Sequence, residues 1–266
     1  MIDYHMHTSL CKHAEGELYE YVEAAIRMGM DEIAFTDHIP LPDQFDSAHR
    51  MLPAQLDPYV EMVSGLKTRY PEITVRCGIE ADYYEGFESY TESLLNQYAF
   101  DVVIMSVHFL RHWSTDNWVF NYHFPNKPIR DVYTDYLQTV RRGIQTGLFD
   151  IVGHVDIVKS PGDSLLTLVP DEVCQTLETV RDAGMVLEIN TSGFRKKVGE
   201  SYPGPDWLSR IKSYSVPITL GSDAHAPGQV GLAFDIISDA LAKNDIRFLT
   251  RFEQRKQTKY LLEKST

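Results

Sequence analysis

Two histidines stand two residues apart near the start of the chain, in the run Ile2-Asp3-Tyr4-His5-Met6-His7, and His13 follows shortly after. On an extended strand, side chains alternate between faces, so His5 and His7 share a face and can grip one ion together. An isolated His-x-His is most often a pair of surface histidines. This one has company: His38, Glu80, His108, His154, Asp223 and His225 each sit at or just beyond the end of a short apolar run. Seven of the ten histidines thus fall at such places, whereas buried histidines seldom cluster as core filling. Nine donors exceed what one ion takes, since zinc is usually held by three or four. The pattern predicts two or three divalent ions, and an imidazole- and carboxylate-rich donor set suits zinc, iron or manganese. His49, His112 and His123 fall in predicted loops and read as solvated or substrate-facing. Cys11, between His7 and His13, is near enough to ligate but reads first as a small buried residue.

A multinuclear site of this kind lends itself to hydrolysis. Metal coordination brings the pKa of water near neutrality, so hydroxide is the expected nucleophile, and neighbouring ions neutralise phosphoryl oxygens. The chain has no Gly-rich phosphate loop, dinucleotide fingerprint or nucleophile elbow. Arg195 follows the sixth apolar run and offers a fork matched to phosphate oxygens. Lys159, five residues after His154, and Ser106, two before His108, are further candidates for holding the substrate. Asp37, beside His38, is expected to support that ligand or to manage the proton of the leaving oxygen, with a metal-bound water as the rival donor.

Positioning donors so far apart in sequence requires a particular scaffold. Apolar runs predict strands at 2–4, 32–36, 73–79, 101–105, 150–152, 186–189 and 218–220. Amphipathic stretches between them predict helices at 18–28, 55–69, 87–97, 129–146, 171–183, 207–213 and 231–243, with Asp171 as a cap and Gly184 as a stop. Beyond these lies a polar tail. Strand and helix alternating about seven times describe an α/β parallel sheet with helical crossovers. An open sheet concentrates its site at a switch point, whereas a barrel gathers residues from all its strand ends at one mouth. Every strand here ends in a His, Asp, Glu or Arg, so a TIM-barrel-like (β/α) barrel of seven strands is predicted, as one domain over residues 1–266.

The 266 residues are 43% hydrophobic and 24% charged, ordinary for a globular protein that buries a large core. A net charge of −13 argues against nucleic acid as the main partner, though bound cations reverse the field locally and admit a small phosphorylated substrate. Three scattered cysteines argue against a disulfide framework. No apolar run is long enough to span a membrane and no leader pattern stands at the N-terminus, so a cytoplasmic location is expected.

The ordered motifs His5-Met6-His7, Thr36-Asp37-His38, Gly78-Ile79-Glu80, Ser106-Val107-His108, Gly153-His154 and Ser222-Asp223-Ala224-His225 together resemble the polymerase and histidinol phosphatase (PHP) family. The resemblance implies a distorted seven-stranded (β/α) barrel, a trinuclear metal site and phosphoesterase activity. Carried over by position, it puts His5, His7, Glu80 and Asp223 on one ion. Glu80, His108 and His154 would hold a second, and His13, His38 and His225 a third. Within the family the chain is similar to stand-alone histidinol-phosphate phosphatases of histidine biosynthesis, in Ser9-Leu10-Cys11-Lys12-His13-Ala14-Glu15-Gly16, in Glu80-Ala81-Asp82-Tyr83 and in Asn190-Thr191-Ser192-Gly193-Phe194-Arg195-Lys196. A long aromatic loop, 109–127, falls where a substrate lid would sit. L-histidinol phosphate is therefore the expected substrate. Another small phosphate ester or an oligonucleotide end is the alternative within the family, and a metal-stabilised binding module without turnover is the alternative outside it.

Overall fold

The computed structural model describes residues 1–113, 118–121 and 127–262. Seven strands form one parallel sheet in sequence order: β1 (Ile2–Asp3), β2 (Glu32–Phe35), β3 (Thr74–Asp82), β4 (Val102–Ser106), β5 (Ile151–Val152), β6 (Val186–Asn190) and β7 (Ile218–Gly221). Most strand residues are buried, as expected where helices cover one face and the barrel interior the other. The intervening helices are α1 (Leu18–Arg27), α2 (Leu56–Arg69), α3 (Glu88–Leu95), α4 (Ile129–Gln145), a single turn α5 (Leu165–Leu168), α6 (Pro170–Asp182) and α7 (Leu208–Ser213), with α8 (Phe234–Lys243) after β7. Among the described residues no helix is long and apolar enough to cross a membrane.

The barrel closes between its first and last strands. Tyr4 N–H donates to Leu220 O at 2.9 Å, His7 N–H to Ala224 O at 2.9 Å and Ala224 N–H to His5 O at 3.2 Å. The buried Asp3 carboxylate reinforces this seam, accepting from the N–H of Ser222 (2.9 Å) and Gly231 (3.2 Å). The barrel is distorted because β1 and β5 have two residues each and β3 has nine. The first half of β3 pairs with β2 and the second half, Gly78–Asp82, with β4. This stagger carries Glu80 and Asp82 inside the strand, beyond the predicted end at 79.

Two helix starts differ from expectation. Val169 is the N-cap of α6 and Pro170 takes its first position. The fixed φ of proline suits that place, so Asp171 lies in the first turn and complements the helix dipole instead of capping. Helix α8 starts at Phe234 and not at Gly231, because Gly231 (φ 63°) and Ala233 (φ 62°) are left-handed. The polar tail also departs from the sequence reading: it is an antiparallel hairpin of β8 (Phe248–Glu253) and β9 (Lys256–Leu261). The hairpin plugs the end of the barrel where the strands begin. Phe252 N–H donates to the Tyr4 hydroxyl (2.8 Å), which also bonds Glu32. Gln254 and Arg255 N–H reach Asp101 Oδ1 (3.2 Å) and O (2.8 Å), and the Arg255 guanidinium pairs with Asp150 (3.0 Å). Leu249 and Phe252 are buried beneath it.

Phe252→Ala should lower the free energy of unfolding by about 3 kcal/mol through the cavity it leaves, measured by denaturant unfolding, with metal content at wild-type level. An unchanged midpoint would show that the plug contributes nothing to the closed barrel.

Candidate metal centre

The strand ends opposite the hairpin bring the nine predicted donors into one cluster. Glu80 is at its middle and fully buried. Its Oε2 lies 2.7 Å from His38 Nδ1, 3.4 Å from His5 Nε2 and 3.6 Å from His7 Nε2. Its Oε1 lies 3.1 Å from His154 Nε2 and 3.7 Å from His108 Nε2. Asp223 Oδ1 is 3.2 Å from His7 Nε2, and the Nε2 atoms of His13 and His225 approach to 2.9 Å. Donor atoms of His5, His7 and Asp223 fall within 4.8 Å of one another, as do those of His5, Glu80 and His154 and those of His7, His38 and His225. The buried Cys11 thiol also lies within 4.8 Å of donor atoms of His13 and His225.

A second ring of side chains aims these donors. Glu188 on β6 takes His5 Nδ1 at 2.6 Å and the N–H of His154 at 2.8 Å, and Asn190 donates to it at 3.1 Å. Gly221 makes room for that carboxylate: a Cβ there would stand 2.0 Å from Glu188 Oε1. Asp82 holds His108 Nδ1 at 3.0 Å and is paired with the buried Arg50 at 2.9 Å. Asp37 accepts from Thr8 N–H (3.1 Å) and His38 N–H (2.7 Å) and lies 3.5 Å from His7 Nδ1. Such outer partners fix ring orientation and ligand basicity. Glu188, Arg50 and Asn190 went unassigned in the sequence. The available signal was a Glu and an Asn alternating within the otherwise apolar run Val186-Leu187-Glu188-Ile189-Asn190.

Above the cluster opens a cavity of about 590 Å³, walled by His49, Trp118, Phe120, Ile157, Ser192, Arg195, Lys196 and Gln229, with Glu80 and five of the predicted histidine ligands at its surface. Arg195 donates to Ser222 O (2.9 Å) and Asp223 O (2.7 Å). Neither Lys159, Ser106 nor Asp37 lines it. Lys159 is buried between Asp156 (3.0 Å) and Glu200 (2.8 Å), and the Ser106 hydroxyl donates to Glu80 Oε1 at 2.5 Å. His49 faces the cavity, whereas His112 is exposed and pairs with Asp135 at 2.7 Å. His123 and most of the predicted lid, 114–117 and 122–126, lie outside the described residues.

The electrostatics of the cluster favour positive charge. Burial pushes the Glu80 and Asp223 carboxyls up, yet the facing histidines, His38 and His5 foremost for Glu80 and His5 and His7 for Asp223, hold both well below the usual carboxylate range. Burial likewise pushes His5 and His7 down, but Glu188 and Glu80 around His5, and Asp223 and Asp37 around His7, raise both well above 6.5. His38 goes the other way, to about 4, mainly through burial. The buried Nε2 atoms of His5 and His7 and Oε2 of Glu80 have no hydrogen-bond partner. Buried polar atoms are rarely left so. These orphaned atoms and the donor chemistry fit divalent cations.

In metal-free protein, protonated His5 and His7 stabilise the fold fully below pH 6.5, and that contribution is lost as pH rises through their raised values. Bound cations replace those protons, so the stabilisation conferred by metal should grow as pH rises from 6.5. Thermal unfolding with and without metal tests this, and parallel pH curves would overturn it. Gly221→Ala should displace Glu188 from His5 and weaken metal retention by about 10- to 100-fold, read by metal competition with a chromophoric chelator; unaltered retention would remove Glu188 from the supporting ring.

Comparison with known proteins agrees with this geometry. The PHP domain model matches residues 3–192. A probable histidinol-phosphatase of Deinococcus radiodurans is 38% identical over 237 residues, covering 88% of this chain and 90% of that one. The histidinol-phosphatase of Bacillus subtilis is 32% identical over 267 residues, covering 88% and 96%. Among solved structures, the histidinol phosphate phosphatase of Lactococcus lactis, complexed with Zn, L-histidinol and phosphate, superposes with a TM-score of 0.82 at 24% identity, covering 97% of this chain and 98% of that one. With a seven-stranded barrel, a histidine-rich cluster at its strand ends and relatives of this similarity, the chain belongs to the PHP family.

Proposed function

We propose that the protein is a metal-dependent phosphomonoester hydrolase that converts L-histidinol phosphate and water to L-histidinol and phosphate. The observation that carries this reading is the buried, partner-less donor set of His5 Nε2, His7 Nε2 and Glu80 Oε2, of which Glu80 lines a cavity walled by Arg195 and Lys196. The names of the relatives supply the ester. His5, His7, Glu80 and Asp223 are assigned to one divalent ion, Glu80, His108 and His154 to a second, and His13, His38 and His225 to a third, with zinc, iron or manganese compatible with these donors. Such ions, when bound, lower the pKa of water and offset the charge on phosphoryl oxygens.

The protein's own groups supply the rest. Arg195 has five N–H donors and spends two on the carbonyls of Ser222 and Asp223, leaving others for phosphate oxygens on the cavity side. Lys196 shares that wall, and the buried Ser192 hydroxyl, which has no partner, is a neutral donor to the same oxygens. Lys159, neutralised by Asp156 and Glu200, ties the β6 loop to the β5 loop. Asp37 is assigned to orient His7, because its carboxylate is engaged outside the cavity. Ser106 is assigned to hold Glu80 Oε1.

A panel of phosphate esters offered to metal-reconstituted protein tests the reading, with L-histidinol phosphate expected to give the highest kcat/KM. Arg195→Ala should cost at least about 2 kcal/mol in that quantity, the worth of charged hydrogen bonds. Preference for a different ester would transfer the activity to that substrate, and absence of turnover on every ester would sink the enzyme assignment.

A further inference from the structure

The loop between β2 and α2 carries a chain of charged groups that runs from the metal cluster to the cavity rim. At its centre the buried Arg50 is shared by two carboxylates, with Nη1 2.9 Å from Asp82 Oδ2 and Nη2 3.0 Å from Asp46 Oδ2. Its Nη1 also donates to Ile39 O at 3.0 Å. Each carboxylate gives its other oxygen to a histidine: Asp82 Oδ1 lies 3.0 Å from His108 Nδ1, and Asp46 Oδ1 lies 2.6 Å from His49 Nδ1. The two halves are chemically alike. In both, an aspartate fixes Nδ1 and commits Nε2 to a different partner. For His108 that partner is the Glu80 cluster, which its Nε2 faces at 3.7 Å. For His49 the ring lines the cavity and is 45% exposed.

A loop histidine beside an aspartate is common on protein surfaces. Asp46, however, is only 8% exposed and is already neutralised by a guanidinium that is 1% exposed. An ion pair withdrawn from water this far is costly to assemble, and here it orients one partly exposed imidazole. The ring also packs edge-on to His13 and Trp118, at centroid distances of 5.7 and 5.4 Å.

Depth divides the cavity by chemistry. The phosphoryl group belongs at the base, with the buried donors, so the alcohol half of the ester extends to the rim, where His49 stands. In the tautomer whose Nδ1–H donates to Asp46, Nε2 is the ring's free lone-pair acceptor and faces the cavity side.

We propose that His49 is a specificity residue whose Nε2 accepts a hydrogen bond from an N–H donor, an ammonium or an azole, on the alcohol half of the substrate. Asp46 and Arg50 are positioning residues behind it. The inference rests on the phosphomonoesterase reading for the identity of the ester.

The test compares metal-reconstituted wild type, His49→Ala and His49→Gln on L-histidinol phosphate, which carries N–H donors on its alcohol, and on p-nitrophenyl phosphate, which carries none. His49→Ala should lower kcat/KM for the first ester about tenfold, chiefly through KM, and for the second by less than about threefold. Gln, whose amide oxygen also accepts, should recover part of the loss. Equal losses on both esters, or no loss on either, would overturn the proposal. If wild type does not hydrolyse L-histidinol phosphate, the substrate reading fails by itself. His49 is then judged by the same ratio on phosphoethanolamine against p-nitrophenyl phosphate.

Discussion

One buried carboxylate organises this molecule. Glu80 has no access to solvent, and five imidazoles face its two oxygens at 2.7 to 3.7 Å. A carboxylate in that position is tolerable only as an anion surrounded by positive charge, because isolated ions are expelled from protein interiors. The five imidazoles come from four strand ends, at β1, β2, β4 and β5, and Glu80 itself from β3. A closed barrel is an economical way to bring five consecutive strands to one point without burying irregular backbone.

Everything around Glu80 serves its geometry. The stagger of β3 places Glu80 within the segment paired to β4, opposite Ile104, and Ser106 steadies Oε1. Glu188 and Asp82 hold the far nitrogens of His5 and His108, so the near nitrogens are presented inward, and Asp37 stands 3.5 Å from the far nitrogen of His7. The local field differs from the net charge of −13: the cavity lining has two carboxylates, Glu80 and Asp223, beside Arg195 and Lys196, and bound cations would make it more positive still.

Much of this was legible in the sequence because it obeys short periods. Alternation of two placed His5 and His7 on one face, and apolar runs followed by His, Glu, Asp or, after the sixth, Arg195 marked all seven strand ends. What stayed hidden depends on partners distant in the chain. Glu188 reads as a misplaced polar residue within a strand until His5, 183 positions away, arrives beside it. Arg50 lies in a loop and is recognisable only once Asp82 is its neighbour. The β8–β9 hairpin has a polar outer strand whose reason for ordering is the row of groups at the barrel's closed end. Lys159 shows the opposite failure. Its spacing from His154 suggested phosphate, but two carboxylates had a prior claim on it.

The seam between β1 and β7 has a bearing on how the protein is made. His5 and His7 are synthesised more than two hundred residues before Asp223 and His225, which close the same cluster. Domains made by vectorial synthesis cannot complete a contact whose second half is still untranslated. The nine-residue cluster is therefore complete only once β7 has docked beside β1. On the proposed ligand assignment, the ions available at that closure compete for one complete donor set rather than for isolated histidines.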